Sequence, residues 1–162
     1  MATPTTLPAS FTAGQVLTAA QMNALRGAFR VLQVVTATTA TQVSTTSATY
    51  ADTGLSVTIT PSSTSSKILV VALPNGCAKA GNIYTGWKLV RGSTDISIIG
   101  PTLGNTVSTL TFVGFNVQAI YLDSPATTSA TTYKLQFNST GATAYAQTDG
   151  ATSYIALLEV SA

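Results

Sequence analysis

The chain has 162 residues and very little charge: seven Lys or Arg against five Asp or Glu. It has one cysteine and no histidine, which excludes an intrachain disulfide, Cys/His zinc sites and every His-dependent catalytic triad or dyad. A net charge of +2 is too small for a general nucleic-acid binder, and a hydrophobic content of 45% excludes a disordered chain.

Ser and Thr together number 46. Threonine favours strands because its branched Cβ suits a pleated surface. The composition therefore predicts a folded, β-rich, nearly neutral protein with a hydroxyl-covered surface. Charge ordinarily keeps a monomer soluble. A surface built from hydroxyls instead suits a robust particle component or an adhesive module.

Residues 1–30 read as a docking segment. Pro4 and Pro8 keep the first ten residues extended. Thr18 and Gln21 form a capping box, and Leu17 and Met22 stand at the positions of a hydrophobic staple. Met22, Leu25, Phe29 and Leu32 then make one helical stripe. The expectation is a short helix over about 18–30, with Arg26 and Arg30 near the end where cations suit the helix dipole. So short a helix is marginal alone, and no charge occurs in residues 1–25. Phe11, Val16, Leu17, Met22, Leu25 and Phe29 are the residues expected to dock on a particle. The competing reading packs this helix on its own domain.

From Val31 the period becomes two, which opens a head domain over 31–162. Val31–Thr36 reads as a strand. Thr36–Thr49, free of Pro and Gly, reads as a strand or long hairpin arm. Leu55, Val57 and Ile59 alternate with Ser56, Thr58 and Thr60 in a half-buried strand. A turn over 61–66 follows. Lys67–Leu73 is apolar on both faces and so central. Asn75-Gly76 and Gly81-Asn82 mark a loop. Tyr84–Arg91, with Trp87 and Leu89 on one face, turns at Gly92-Ser93 into Thr94–Ile99. Gly100-Pro101 and Gly104-Asn105 predict another loop. Val107–Leu122 shifts its apolar face at Phe112–Val113, which predicts a bulge or bend near Gly114. Tyr133, Leu135 and Phe137 alternate with Lys134 and Gln136. Ala142–Gln147 is a weaker strand, Asp149-Gly150 signals a hairpin, and Tyr154–Val160 is the last strand.

The fold class is thus all-β: an antiparallel β-sandwich or jelly roll of eight to ten strands, preceded by one short N-terminal helix. A sandwich buries one face of each strand. The second apolar face of 67–73 and 154–160 needs another cover, either an oligomer interface or the N-terminal helix.

Chemistry-bearing groups are few. Cys77 has no His to activate it. Ser66 and Lys67 are neighbours on a strand and point to opposite sides. Asp52, Asp95, Asp123 and Asp149 sit beside turn residues, where local hydrogen bonding explains them. Glu159 lies inside the last strand and suggests an Arg or Lys partner. Phosphate, dinucleotide and calcium loops are absent from the sequence. No catalytic residue, metal or cofactor is assigned, and a non-enzymatic protein is expected. Among the aromatics, Tyr145 in a polar Thr/Ala stretch is the residue picked for ligand contact, by stacking on a sugar. Asn138-Ser139-Thr140 reads as a chance match to the glycosylation triplet. The longest apolar run, Ile68–Leu73, is too short to span a membrane. The N-terminus lacks the basic and apolar regions of a secretory signal, so assembly in a cytoplasm is expected.

Phe11-Thr-Ala-Gly-Gln-Val-Leu-Thr-Ala-Ala-Gln-Met-Asn-Ala-Leu25 and Thr53-Gly-Leu-Ser-Val-Thr-Ile-Thr-Pro-Ser-Ser-Thr-Ser-Ser-Lys-Ile-Leu-Val70 carry a resemblance. Trp87-Lys-Leu-Val-Arg-Gly-Ser-Thr94 and Tyr133-Lys-Leu-Gln-Phe137 fit the same pattern. Over most of its length the chain resembles small virion proteins of tailed bacteriophages, the minor tail or fibre proteins. The resemblance implies a virion component with an N-terminal segment docked on other virion proteins and an outward β-head, a homotrimer that contacts the host. It transfers no residue-level site. The alternatives are a capsid decoration protein, of cement or head-fibre type, that braces the shell, and a free sugar-binding module for a host surface glycan. Neither nucleic acid nor membrane insertion is expected.

Overall fold

The computed structural model describes residues 30–105 and 112–161, together with Gly14, Val16, Thr18 and Ala19. The helix expected over 18–30 lies outside the described residues except at Thr18, Ala19 and Arg30. Among the described residues the architecture is all-β, and every strand pairing is antiparallel.

In chain order the strands are β1 (Val31–Thr39), β2 (Val43–Thr45), β3 (Ala51–Ile59), β4 (Lys67–Leu73), β5 (Cys77–Lys79) and β6 (Thr85–Arg91). Then come β7 (Thr94–Leu103), β8 (Val113–Phe115), β9 (Ala119–Asp123), β10 (Thr131–Ser139), β11 (Ala144–Ala146) and β12 (Ser153–Val160). A first sheet runs β1-β12-β4-β9, a second β3-β10-β6-β7 and a third β2-β11-β5-β8. The third sheet repeats the order of the first with each strand's sequence neighbour. Four long strands are therefore each interrupted once, which is why twelve segments appear where the sequence predicted eight to ten.

The interruptions have local causes. Between β4 and β5 stand Pro74, which lacks a ladder donor, and Gly76 at φ +60°. A Cβ on Gly76 would lie 2.6 Å from the Thr148 backbone nitrogen, so only glycine fits. The break between β11 and β12 is tied to the same spot. Gln147 N–H donates to Asn75 O at 3.0 Å, and Thr148 N–H donates to Gly76 O at 3.1 Å.

Two sheets cover the second one. Leu55, Val57 and Ile59 of β3, Leu89 of β6 and Tyr133 and Leu135 of β10 pack with Ile68, Val70, Ala72, Ala119, Ile155 and Leu157 of the first sheet. At the other end Trp87 and Phe137 pack with Cys77, Ala144 and Ala146 of the third sheet and with Val117. The core thus has two clusters: mainly branched aliphatic side chains with Tyr133 at one end, and Trp87 and Phe137 among small side chains at the other. Trp87 and Phe137 meet at 5.1 Å between ring centroids.

Three expectations are corrected here. Gly100-Pro101 is not a loop; β7 runs through it to Leu103, with irregular register against β6. Of the run Val107–Leu122, residues 107–111 lie outside the described residues; the described part breaks at residues 116–118, and Gly114 lies inside β8 in regular register with β5. Asp149-Gly150 does not make a hairpin. Gln147 and Asp149 take left-handed backbone angles, and a short 3-10 turn over Thr148–Gly150 loops the chain out before it resumes its direction in β12. A hairpin turn reverses the chain only where two flanking strands pair with each other, and here β11 and β12 pair instead with β2 and β1.

Candidate functional site

Strand side chains alternate between faces, so the register of a sheet fixes what its outer surface carries. On the first sheet, residues 68, 70 and 72 of β4 and 155 and 157 of β12 point into the core. The intervening residues point out, and they form cross-strand rows. Val34, Leu158, Leu69 and Leu122 are partners across all four strands. The next row is Thr36, Ala156, Val71 and Ile120, and the one after it holds Thr38, Tyr154 and Leu73. Val34, Leu122 and Tyr154 are each at least half exposed, and Ile120 reaches 68%. Among these rows no residue is charged; Lys67 stands at the end of the inner strand β4, beside Val160.

The outer surface of the second sheet is the opposite in chemistry. Thr58 and Thr132 share a 2.7 Å hydrogen bond. Lys134 pairs with Asp52 at 2.9 Å, and Gln136 donates to the same carboxylate at 2.7 Å. Burial would raise the Asp52 pKa, but the hydrogen bonds from Gln136 and Lys134 win and hold it below its ordinary value. Lys88 pairs with Asp95 at 2.8 Å and lies over the Tyr50 ring. The two outer faces therefore differ: one carries hydroxyls and ion pairs, with Ile98 exposed beside Lys88, and the other is apolar and uncharged in its three rows.

Two buried polar clusters brace the oily sheet from behind. Glu159 is fully buried and accepts from Gln33 Nε2 at 2.6 Å, Ser62 Oγ at 2.6 Å and Ser62 N–H at 2.7 Å. The donors are thus hydroxyl, amide and backbone groups, where the sequence suggested Arg or Lys. Burial opposes ionisation, yet the hydrogen bonds from Ser62, Ser66 and Gln33 outweigh it and hold the carboxyl at about 2. At the other edge Asp123 accepts both Arg91 Nη1, at 2.7 Å, and Tyr133 OH, at 2.6 Å. This joins β9 of the first sheet to β6 and β10 of the second. Burial and the neighbouring carboxylate both push the Tyr133 phenol upward.

The sequence-selected residues fall in separate places. Phe11, Leu17, Met22, Leu25 and Phe29 lie outside the described residues; Val16 is 87% exposed. Tyr145 projects outward from β11 between Ser44 and Ala78, half-buried, with Phe112 at 5.9 Å between centroids. An open cleft of about 390 Å³ is lined by Leu73, at the end of the apolar face, and by Asn75, Asn116, Val117 and Gln118. Cys77 is buried, and burial pushes its thiol up to about 12. Among the described residues no three Asp, Glu or Cys gather as a metal site, and no helix is long and apolar enough to cross a membrane.

The sequence flagged the second apolar face of β4 and β12. It missed Val34, Ile120 and Leu122, which complete the surface. Their alternation with Val35 and Tyr121 was the available signal, but only the pairing of β1 and β9 at the two edges shows that they join it.

No family model matches the sequence, and no curated protein matches it. Among solved structures the chain is similar to the infectious bursal disease virus VP2 subviral particle, with a TM-score of 0.40 and 14% sequence identity. The similarity covers 79% of this chain and 39% of that one, so the chain spans well under half the length of VP2.

Proposed function

We propose that the protein is a non-enzymatic structural component of a bacteriophage particle, a β-head held by its N-terminal segment and presented as a homotrimer. The observation that carries this reading is the contrast between the two outer faces. An apolar, uncharged sheet surface opposite a hydrated one suits a module that buries one side in an assembly. Taking the first and third sheets as one broken sheet, we assign the head to the jelly-roll arrangement, eight strands in two sheets with the chain crossing between them at every connection except β6 to β7. The acids support a contact role. Asp52, Asp95, Asp123 and Glu159 are each engaged by donors of their own fold. The leading segment fits an attachment role because it is uncharged through residue 25 and joins the head at Arg30, beside the end of β12.

Within the particle we place it in the tail or its fibres, on the resemblance described above. Immunogold labelling of purified particles tests both levels. Gold at the tail is the expected result. Gold over the capsid moves the protein to a decoration role. Particles that carry none of the protein, by labelling and by mass spectrometry, overturn the reading.

A further inference from the structure

We infer that the outer face of the β1-β12-β4-β9 sheet is the surface through which copies of this chain bind one another. This deepens the proposed function and rests on its reading of the head as an oligomer.

The size of the face is the first argument. Four strands about 4.8 Å apart, with seven residues at about 3.3 Å each, span roughly 19 by 23 Å. That is over about 400 Å² in projection, before the relief of the side chains is counted. The largest apolar patch on a typical protein is about 300–600 Å² and is often functional, and in projection this face supplies roughly half of the ~800 Å² that a standard interface takes from each partner. The rows Val34–Leu158–Leu69–Leu122 and Ala156–Val71–Ile120 would form its apolar centre.

Charge is the second argument. A surface that meets its own copy must carry no net charge at its centre, because like charges would be brought together and desolvated. These rows satisfy that condition, and Lys67 stands beyond them at the end of β4, where an interface rim remains wet. The hydrated second sheet, with Lys134–Asp52 and Lys88–Asp95, has the chemistry of the side left in solvent.

The leading segment is the rival occupant. The four residues of it that the structure describes are all exposed, Val16 most clearly. The rest of that segment lies outside the described residues. On the extent and the neutrality of the face, a second copy is the occupant we commit to, and the crosslinking below decides between the two.

The test uses the full chain. Light scattering should give a multiple of the 16.5 kDa chain mass for the unaltered protein. Ile120→Lys with Leu122→Lys should reduce it to a single chain, while Ile120→Val with Leu122→Met should leave it unchanged. A monomeric unaltered protein, or an assembly that survives the double lysine variant, overturns the inference. A photo-crosslinking side chain at Ile120 decides the case if the lysine variant fails to fold. In a mixture of isotope-labelled and unlabelled chains, links from one copy to Leu69, Val71 or Leu158 of another support it. Links to residues 1–29 overturn it and make the leading segment the cover. None of these outcomes depends on where the protein sits in a particle, so the labelling experiment can fail independently.

Discussion

Leu69 and Leu158 stand directly opposite each other in the β4–β12 pairing, and both point away from the core. Their strands are the two central ones of the sheet, so this pair sits at the middle of the oily face. Replacing Leu158 with Asp should weaken self-association at least about tenfold, since it places a like charge at the centre of each copy's contact. Ser56→Asp, on the hydrated face, should leave association unchanged. Sedimentation velocity over a concentration series reads both.

Glu159 predicts a pH profile. Its folded pKa of about 2 lies below the ordinary 4.5. A depressed carboxyl contributes stability that is fully present above the unfolded pKa and is lost as pH falls through the folded one. Stability should therefore hold down to about pH 5 and decline toward pH 2, by about 2–3 kcal/mol from this group. Glu159→Gln should cost about 2 kcal/mol at neutral pH, because charge-assisted hydrogen bonds are replaced by neutral ones. The variant should also flatten the acid limb. Urea unfolding at a series of pH values, followed by Trp87 fluorescence, checks both effects. An unchanged acid limb would remove Glu159 as its cause.

The Asp123 cluster predicts unequal losses. Arg91→Ala leaves a nearly buried carboxylate with Tyr133 as its remaining side-chain partner and should cost about 3 kcal/mol. Tyr133→Phe removes one hydrogen bond to a charged acceptor and should cost about 2 kcal/mol. The double variant should lose less than the sum, because the two donors share one acceptor. Thermal unfolding of the four proteins completes the cycle; strict additivity would show that the cluster does not act as a unit.

Cys77 should be inert in the folded protein. Its thiol is buried, raised to about 12, and donates to Pro74 O. Alkylation by iodoacetamide at pH 8 should be at least about 100-fold slower than in urea, since the thiolate is the reactive form. Equal rates would mean that the break between β4 and β5 opens freely.

Tyr145 marks how far site reading from sequence can go. Its small, polar neighbours predict exposure, and in the structure it is half-buried, on β11 between Ser44 and Ala78. Phe112 beside it was not foreseen, because the partner comes from a distant strand segment. Asp149-Gly150 shows the reverse failure. The dipeptide favours a tight turn, but the pairing partners of β11 and β12 were already taken, and the turn became an excursion.

The amino-acid order alone determined the β class, the inward set Leu55, Val57, Ile59, Tyr133 and Leu135, and the double apolarity of 67–73 and 154–160. These follow from side-chain alternation, which is a local property with a period of two. Tertiary structure alone decided that Val34 and Ile120 belong to one surface, that Glu159 is met by Gln33 and Ser62, and that Arg91 and Tyr133 share Asp123. Each of those depends on which strands lie side by side. Strand pairing is a choice among distant segments, and no short stretch of the chain encodes its own neighbour.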